Sequence, residues 1–85
     1  MSKKRVGLCP VGNNFRIDKQ KVIITEKKEN LFFYEVNGAK GIIPFDRFLS
    51  REERSKVKVD SVVTIYRYFN TSGKRLLAYH ARYES

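Results

Sequence analysis

The chain has 85 residues, with 18 Lys and Arg against 9 Asp and Glu, for a net charge of +9. Domains usually run to ~100–150 residues and rarely fall below ~50, so a second domain is excluded. With 41% hydrophobic residues the composition is globular rather than disordered, and no apolar stretch approaches the ~18–20 residues of a membrane span.

In chain order, the opening VGLCPVGNN is broken by Gly7, Pro10 and Gly12 and reads as a short edge strand or a basic arm over residues 1–14, ahead of a domain over 15–85. Lys21 to Thr25, KVIIT, is a β-branched run, and Leu31 to Val36, LFFYEV, is a second strand after the polar turn KKEN. Asn37-Gly38 between apolar runs is a strong hairpin signal and leads into Lys40 to Phe45, KGIIPF. Pro44 has no N–H for a ladder, which puts it at a strand end or on an edge. FDRFLSREERSK has Phe45, Phe48 and Leu49 at helical spacing and Asp46 at an N-cap position, so one short helix is expected there. Val57 to Phe69, dense in β-branched and aromatic residues, predicts a long strand preceded by a turn at Asp60-Ser61. Asn70 to Lys74 is a hairpin loop, and Arg75 to Tyr83, RLLAYHARY, is the returning last strand.

Three strands, a short helix and two further strands joined by tight turns are the order of an OB-fold, a five-stranded barrel with its helix between strands 3 and 4. A small barrel suits a short chain, because closure removes exposed edges and the interior needs only alternate side chains. The eleven Phe and Tyr residues meet the demand for a bulky core in a chain that buries only ~60–65% of its unfolded surface. An SH3-like barrel has a similar strand count but usually no helix between Phe45 and Arg54.

Specific stretches carry a family likeness. LFFYEVNGAKGIIPFDRF, with an aromatic strand followed by a strand led by Gly41, resembles the ribosomal protein S-one type RNA-binding domain. DSVVTIYRYFNTSGKRLLAYHARY resembles its second half, through Val63, Ile65, Gly73, Arg75, Leu76 and Ala78. The tyrosine-rich fourth strand and the R-L-x-A ending are most similar to the repeats of the conserved virulence factor B family. The likeness covers about residues 21–83 and implies an OB-fold, RNA binding, a stacking platform at Phe33 and a binding Arg75. The opening Gly-x-Val strand of the family is not evident, only Phe33 keeps its F-G-A-F aromatic, and Pro44 stands where the family often has His.

The charge is uneven. Residues 1–21 carry six bases against one acid, residues 22–54 six against six, and residues 55–85 six against two, so the excess lies at the two ends. Paired ends would form one positive face, which attracts polyanions and releases counterions from nucleic acid. Single strands are held by combining a basic groove with aromatic platforms, since stacking contributes ~1–3 kcal/mol per base. Strand alternation sends Phe32, Tyr34 and Val36 inward and Phe33 outward, and sends Val63 and Ile65 inward with Tyr66 and Tyr68 outward. The last strand stays open: hydrophobicity turns Leu77, Tyr79, Ala81 and Tyr83 inward, whereas the family likeness turns Leu76 and Ala78 inward, and a one-residue slip exchanges the two.

The candidate nucleic-acid-binding residues are therefore Phe33, Lys40, Tyr66, Tyr68, Lys74, Arg75, His80 and Arg82, with Lys40 and Lys74 as positioning contacts. Catalysis needs acid, base or nucleophile groups gathered in a pocket, and the single Asp residues, the Glu52-Glu53 pair and the distant Cys9 and His80 form no such cluster. Cys9 alone makes neither an internal disulfide nor a multi-cysteine zinc site, which suits a reducing compartment. The expectation is a cytoplasmic, non-enzymatic RNA or single-stranded nucleic acid binder without cofactor, metal or membrane partner. The alternative is an adaptor docking on an acidic protein such as RNA polymerase or a ribosomal component.

Overall fold

In the computed structural model, which describes residues 7–10, 12 and 14–84, five strands form one antiparallel sheet. They are β1 (Arg16–Lys27), β2 (Leu31–Val36), β3 (Ala39–Pro44), β4 (Val62–Phe69) and β5 (Leu76–Glu84), in the order β3-β2-β1-β4-β5. The chain is thus all-β in its main architecture. The sheet is open, because β3 and β5 are its outer strands and do not pair with each other. No helix of the described residues is long and apolar enough to cross a membrane.

β1 is longer than the β-branched run Lys21 to Thr25 predicts, and its length organises the sheet. Its first part pairs with β4, from Arg16↔Phe69 to Ile23↔Val62, and its last part pairs with β2, with a register shift between Ile24 and Glu26. Val22 and Ile24 face inward and join Phe32, Ile43, Val63, Ile65 and Ala81 in the core, which Phe48 and Val57 cover from the connection between β3 and β4. Asn37 and Gly38 both take positive φ, of 50° and 81°, which is the two-residue turn that the Asn-Gly signal predicts.

The connection between β3 and β4 departs from the expected single helix. Phe45–Arg47 forms a 3-10 turn, Phe48 returns to extended backbone, and the α-helix α1 covers only Arg51–Ser55. Asp46 lies inside the 3-10 turn. The N-cap is Ser50, whose hydroxyl accepts from the Glu53 N–H at 3.0 Å. The physical reason is that Phe48 is buried in the core and bridges to Ala81 of β5 while Leu49 is 45% exposed, so the two cannot share one helical face. The strand expected from Val57 begins only at Val62, after a turn in which Ser61 N–H donates to Lys58 O and Asp60 takes a positive φ of 74°.

Both readings of the last strand hold in part. Tyr68 pairs with Ala78 but Phe69 pairs with Leu76, so Leu77 is an extra residue in β5. Beyond it Tyr79, Ala81 and Tyr83 face inward, opposite Arg67, Ile65 and Val63, whereas before it Leu76 also lies on the inner side, beside Tyr34 and Tyr79. Ala78, His80 and Arg82 occupy the outer face.

Gly41 explains the small residue that leads β3. It lies directly across from Tyr34, and a Cβ there would overlap the Tyr34 ring. Gly41→Ala is expected to cost about 1–3 kcal/mol in chemical denaturation, the usual scale of overpacking, and to cost much less in a Tyr34→Ala background. Equal costs in the two backgrounds would show that the ring is not the obstacle.

Candidate nucleic-acid interface

Alternation along β1 puts Ile17, Lys19, Lys21 and Ile23 on the sheet face away from the core. The registers then build rows across that face: Lys19 beside Tyr66 and Tyr66 beside His80, Lys21 beside Thr64 and Thr64 beside Arg82. The Lys19 ammonium stands over the Tyr66 ring, 5.6 Å from its centroid. The Tyr66 and His80 rings stack at 4.8 Å with 10° between their planes, and Tyr68 stacks on His80 at 5.6 Å. Phe15 meets Tyr68 edge-on at 5.3 Å. Each contact falls in the range where aromatic pairs and cation–π pairs attract.

Three of the sequence-derived candidates, Tyr66, Tyr68 and His80, are therefore brought together. His80 is buried, however, beneath the segment that precedes β1. Its Nδ1–H donates to the Leu8 carbonyl at 2.9 Å, which fixes that tautomer because a carbonyl oxygen only accepts. The same segment makes a parallel bridge from Gly7 to Ala78, and Gly7 O accepts from Tyr79 N–H at 3.0 Å. Residues 1–6, 11 and 13 of the expected N-terminal arm lie outside the described residues. His80 thus supports the tyrosines from within, and Tyr66 and Tyr68 remain half-buried at the surface.

The other candidates are dispersed. Arg82 is engaged, its Nε donating to the Glu53 carboxylate at 2.9 Å, and this hydrogen bond is the first cause that holds its guanidinium above the ordinary arginine value. Phe33 is half-buried on the outer side of β2, next to Ile42 of β3 and Glu26 of β1. It is separated from the Tyr66 row by the β1 segment between Lys19 and Glu26, roughly 20 Å at ~3.3 Å per residue. Lys40 is exposed on β3. Lys74 and Arg75 are exposed in the β4–β5 loop, which Asn70 shapes by accepting the N–H groups of both with its side-chain oxygen, at 3.0 and 3.2 Å.

Lys19, Lys21 and Arg47 were not among the sequence-derived candidates. Carrying the alternation of Val22 and Ile24 back through Gln20 would have found the two lysines. Arg47 had no such signal, since it sits in a stretch with helical spacing. Its guanidinium is buried, donates from Nη1 to Gly7 O at 3.0 Å and to Tyr79 O at 3.2 Å, lies over the Tyr79 ring at 4.2 Å, and has Asp46 Oδ1 4.0 Å from Nε. It is a pin between the N-terminal segment, β5 and the β3–β4 connection. Comparison with protein-family models, curated proteins and solved structures returns no match.

Burial first, and then the neighbouring Cys9 and Tyr66, raise the Tyr68 hydroxyl above the ordinary tyrosine value. The folded chain therefore holds this proton more tightly than the unfolded chain. The resulting stability is fully present below the unfolded tyrosine pKa and is lost as pH rises through the higher folded value. In an alkaline titration followed by phenolate absorbance, Tyr68→Phe should remove a phenol that ionises above the ordinary tyrosine value. An unchanged titration curve would deny the shift.

Proposed function

We propose that the chain is a non-enzymatic module that binds RNA or single-stranded nucleic acid on the outer face of β1 and β4, with Tyr66 and Tyr68 as stacking platforms. The observation that carries the reading is the Lys19 ammonium poised over the Tyr66 ring beside Tyr68, with Lys21 one row further on. A base that takes the place of the Lys19 ammonium over the ring meets a π-face, while the displaced lysine and Lys21 meet its phosphates. Lys74 and Arg75 in the β4–β5 loop, near the start of β1, extend the positive surface. Phe33 and Lys40 belong to the same outer face at its other end, where a longer strand would reach them.

The strand order supports an OB-type barrel, because β3-β2-β1-β4-β5 gives each strand the neighbours it has in that barrel when opened between β3 and β5. The sequence likeness to S-one-type domains points the same way. A cytoplasmic setting belongs to this proposal, consistent with a free, exposed Cys9.

Affinity for a short labelled RNA should fall as salt rises, with a log–log slope of about −2 if three phosphates are neutralised at ~0.7 each. Tyr66→Ala should lose ~1–3 kcal/mol of binding, and Lys19→Gln should flatten the slope, both with the thermal unfolding transition retained. Binding that is undetectable at low salt, or indifferent to salt, would sink the proposal.

A further inference from the structure

The two edges of the sheet are treated unequally. On β5, Tyr79 N–H goes to Gly7 O and Tyr79 O accepts from Arg47, Ala81 is bridged by Phe48, and Tyr83 N–H donates to the Glu53 carboxylate at 2.7 Å. On β3 the pattern is the reverse. The two-residue turn and the bond from Phe45 N–H to Asn30 O, 2.9 Å, mark Asn30, Phe32, Tyr34 and Val36 as the hydrogen-bonded positions of β2. Ala39, Gly41 and Ile43 then turn their backbone groups toward β2, and Lys40 and Ile42 turn theirs to the open side. Neither has a hydrogen-bond partner there among the described residues. Pro44, the third residue facing that edge, has no N–H and ends the pairing window.

Beside this edge the gap between β3 and β5 holds a cavity of about 300 Å³, lined by Ile42 and Ile43 of β3, Leu76 and Tyr79 of β5, Tyr34 and Arg67 among others. Arg67 is the only charged residue on the lining. It donates to the neutral Gln20 side chain at 2.8 Å, and Asp18, directly across on β1, makes no ion pair with it. The gap thus offers an unpaired backbone row, an apolar hollow and one cation that is hydrogen-bonded only to a neutral side chain.

We propose that the β3–β5 gap receives an extended acidic segment of a partner protein. The segment adds to β3 through the backbone groups of Lys40 and Ile42, sets an apolar side chain in the hollow and brings a carboxylate to Arg67. Main-chain pairing supplies affinity in this mode, and alternate side chains supply specificity, since only every second residue points to one side. Charge selects the occupant: Lys40 and Arg67 favour an acidic chain, and a second copy of this protein would bring another net charge of +9 to the same edge. The site shares only Lys40 with the far end of the nucleic-acid face, and none of Lys19, Tyr66 and Tyr68 lines the gap, so the two are tested separately.

The probe is a blocked six-residue peptide with threonine at its first, third and fifth positions and valine, glutamate and valine at the others, so that valine and glutamate share one face; it is compared with the counterpart carrying lysine for glutamate, against the full chain. The glutamate peptide should slow hydrogen exchange of the Lys40 and Ile42 amides at least ~tenfold, and the lysine peptide should not. Arg67→Gln should weaken the binding ~tenfold, as expected for loss of a charged hydrogen bond. Ile42→Pro removes the edge-facing N–H and should abolish binding, whereas Ile42→Ala keeps that N–H and should retain protection at Lys40. If Ile42→Pro fails to fold, exchange at Lys40 in the unaltered chain decides. Equal effects of the two peptides, protection confined to the β1–β4 face, or protection that grows with protein concentration alone would each overturn the proposal, the last by assigning the edge to a second copy.

Discussion

The outer edge of β5 is the place where this sheet would otherwise fail, because a row of unpaired backbone groups on an aromatic strand invites foreign pairing and leaves polar groups unmet. Arg47 organises the solution. From the short connection between β3 and β4 its guanidinium reaches the carbonyl of Tyr79 and the carbonyl of Gly7, while Gly7 itself takes the Tyr79 N–H. Bonds from a charged donor contribute ~1.5–3 kcal/mol each when their acceptors are shielded from water, so this one side chain is worth more than its neighbours on the surface. Phe48 and Glu53, on either side of α1's start, continue the cover to Ala81 and Tyr83.

That solution shapes both faces of β5. On the inner face, the same connection lays Phe48 and Val57 over the core that β1 and β4 begin. On the outer face, the segment held at Gly7 crosses His80, buries it and fixes its tautomer. His80 in turn stacks under Tyr66 and Tyr68. The tyrosines are thereby presented as a braced surface rather than as loose side chains, and Lys19 reaches over Tyr66. Nothing comparable covers β3, where Tyr34 packs flat across Gly41 and leaves the backbone of Lys40 and Ile42 open.

Much of this was legible in local chemistry. Asn37-Gly38 declares its turn because both residues tolerate positive φ, and the β-branched and aromatic runs declare β2, β3 and β4. The outward facing of Tyr66 and Tyr68 follows from alternation alone. What sequence periodicity could not supply is long-range. Phe48 breaks the helical spacing of Phe45, Phe48 and Leu49 because β5 needs it, and Ser50 rather than Asp46 then caps the helix. The extra residue at Leu77 reconciles two incompatible facings of the last strand, and a bulge leaves no mark in a run of apolar residues. Arg82 looks like a phosphate contact until Glu53 is brought beside it from a distant part of the chain. The dispersal of Phe33 from Tyr66 depends on how far β1 runs, which polar residues such as Asp18 and Gln20 disguised.

Basic charge and aromatic content thus have separable roles: part of each holds the fold, and part is displayed. Arg47 and Arg82 are spent on the edge of β5, Phe32 and Phe48 on the core, while Lys19, Lys21, Tyr66 and Tyr68 form the displayed set on which the functional account rests. The most direct test is a chemical-shift map of the full chain with a short single-stranded oligonucleotide at low salt. The account predicts shifts concentrated on Lys19, Lys21, Tyr66 and Tyr68, with little change in the core at Val63 or Ile65. An unperturbed spectrum, or shifts gathered away from the β1–β4 face, would contradict it.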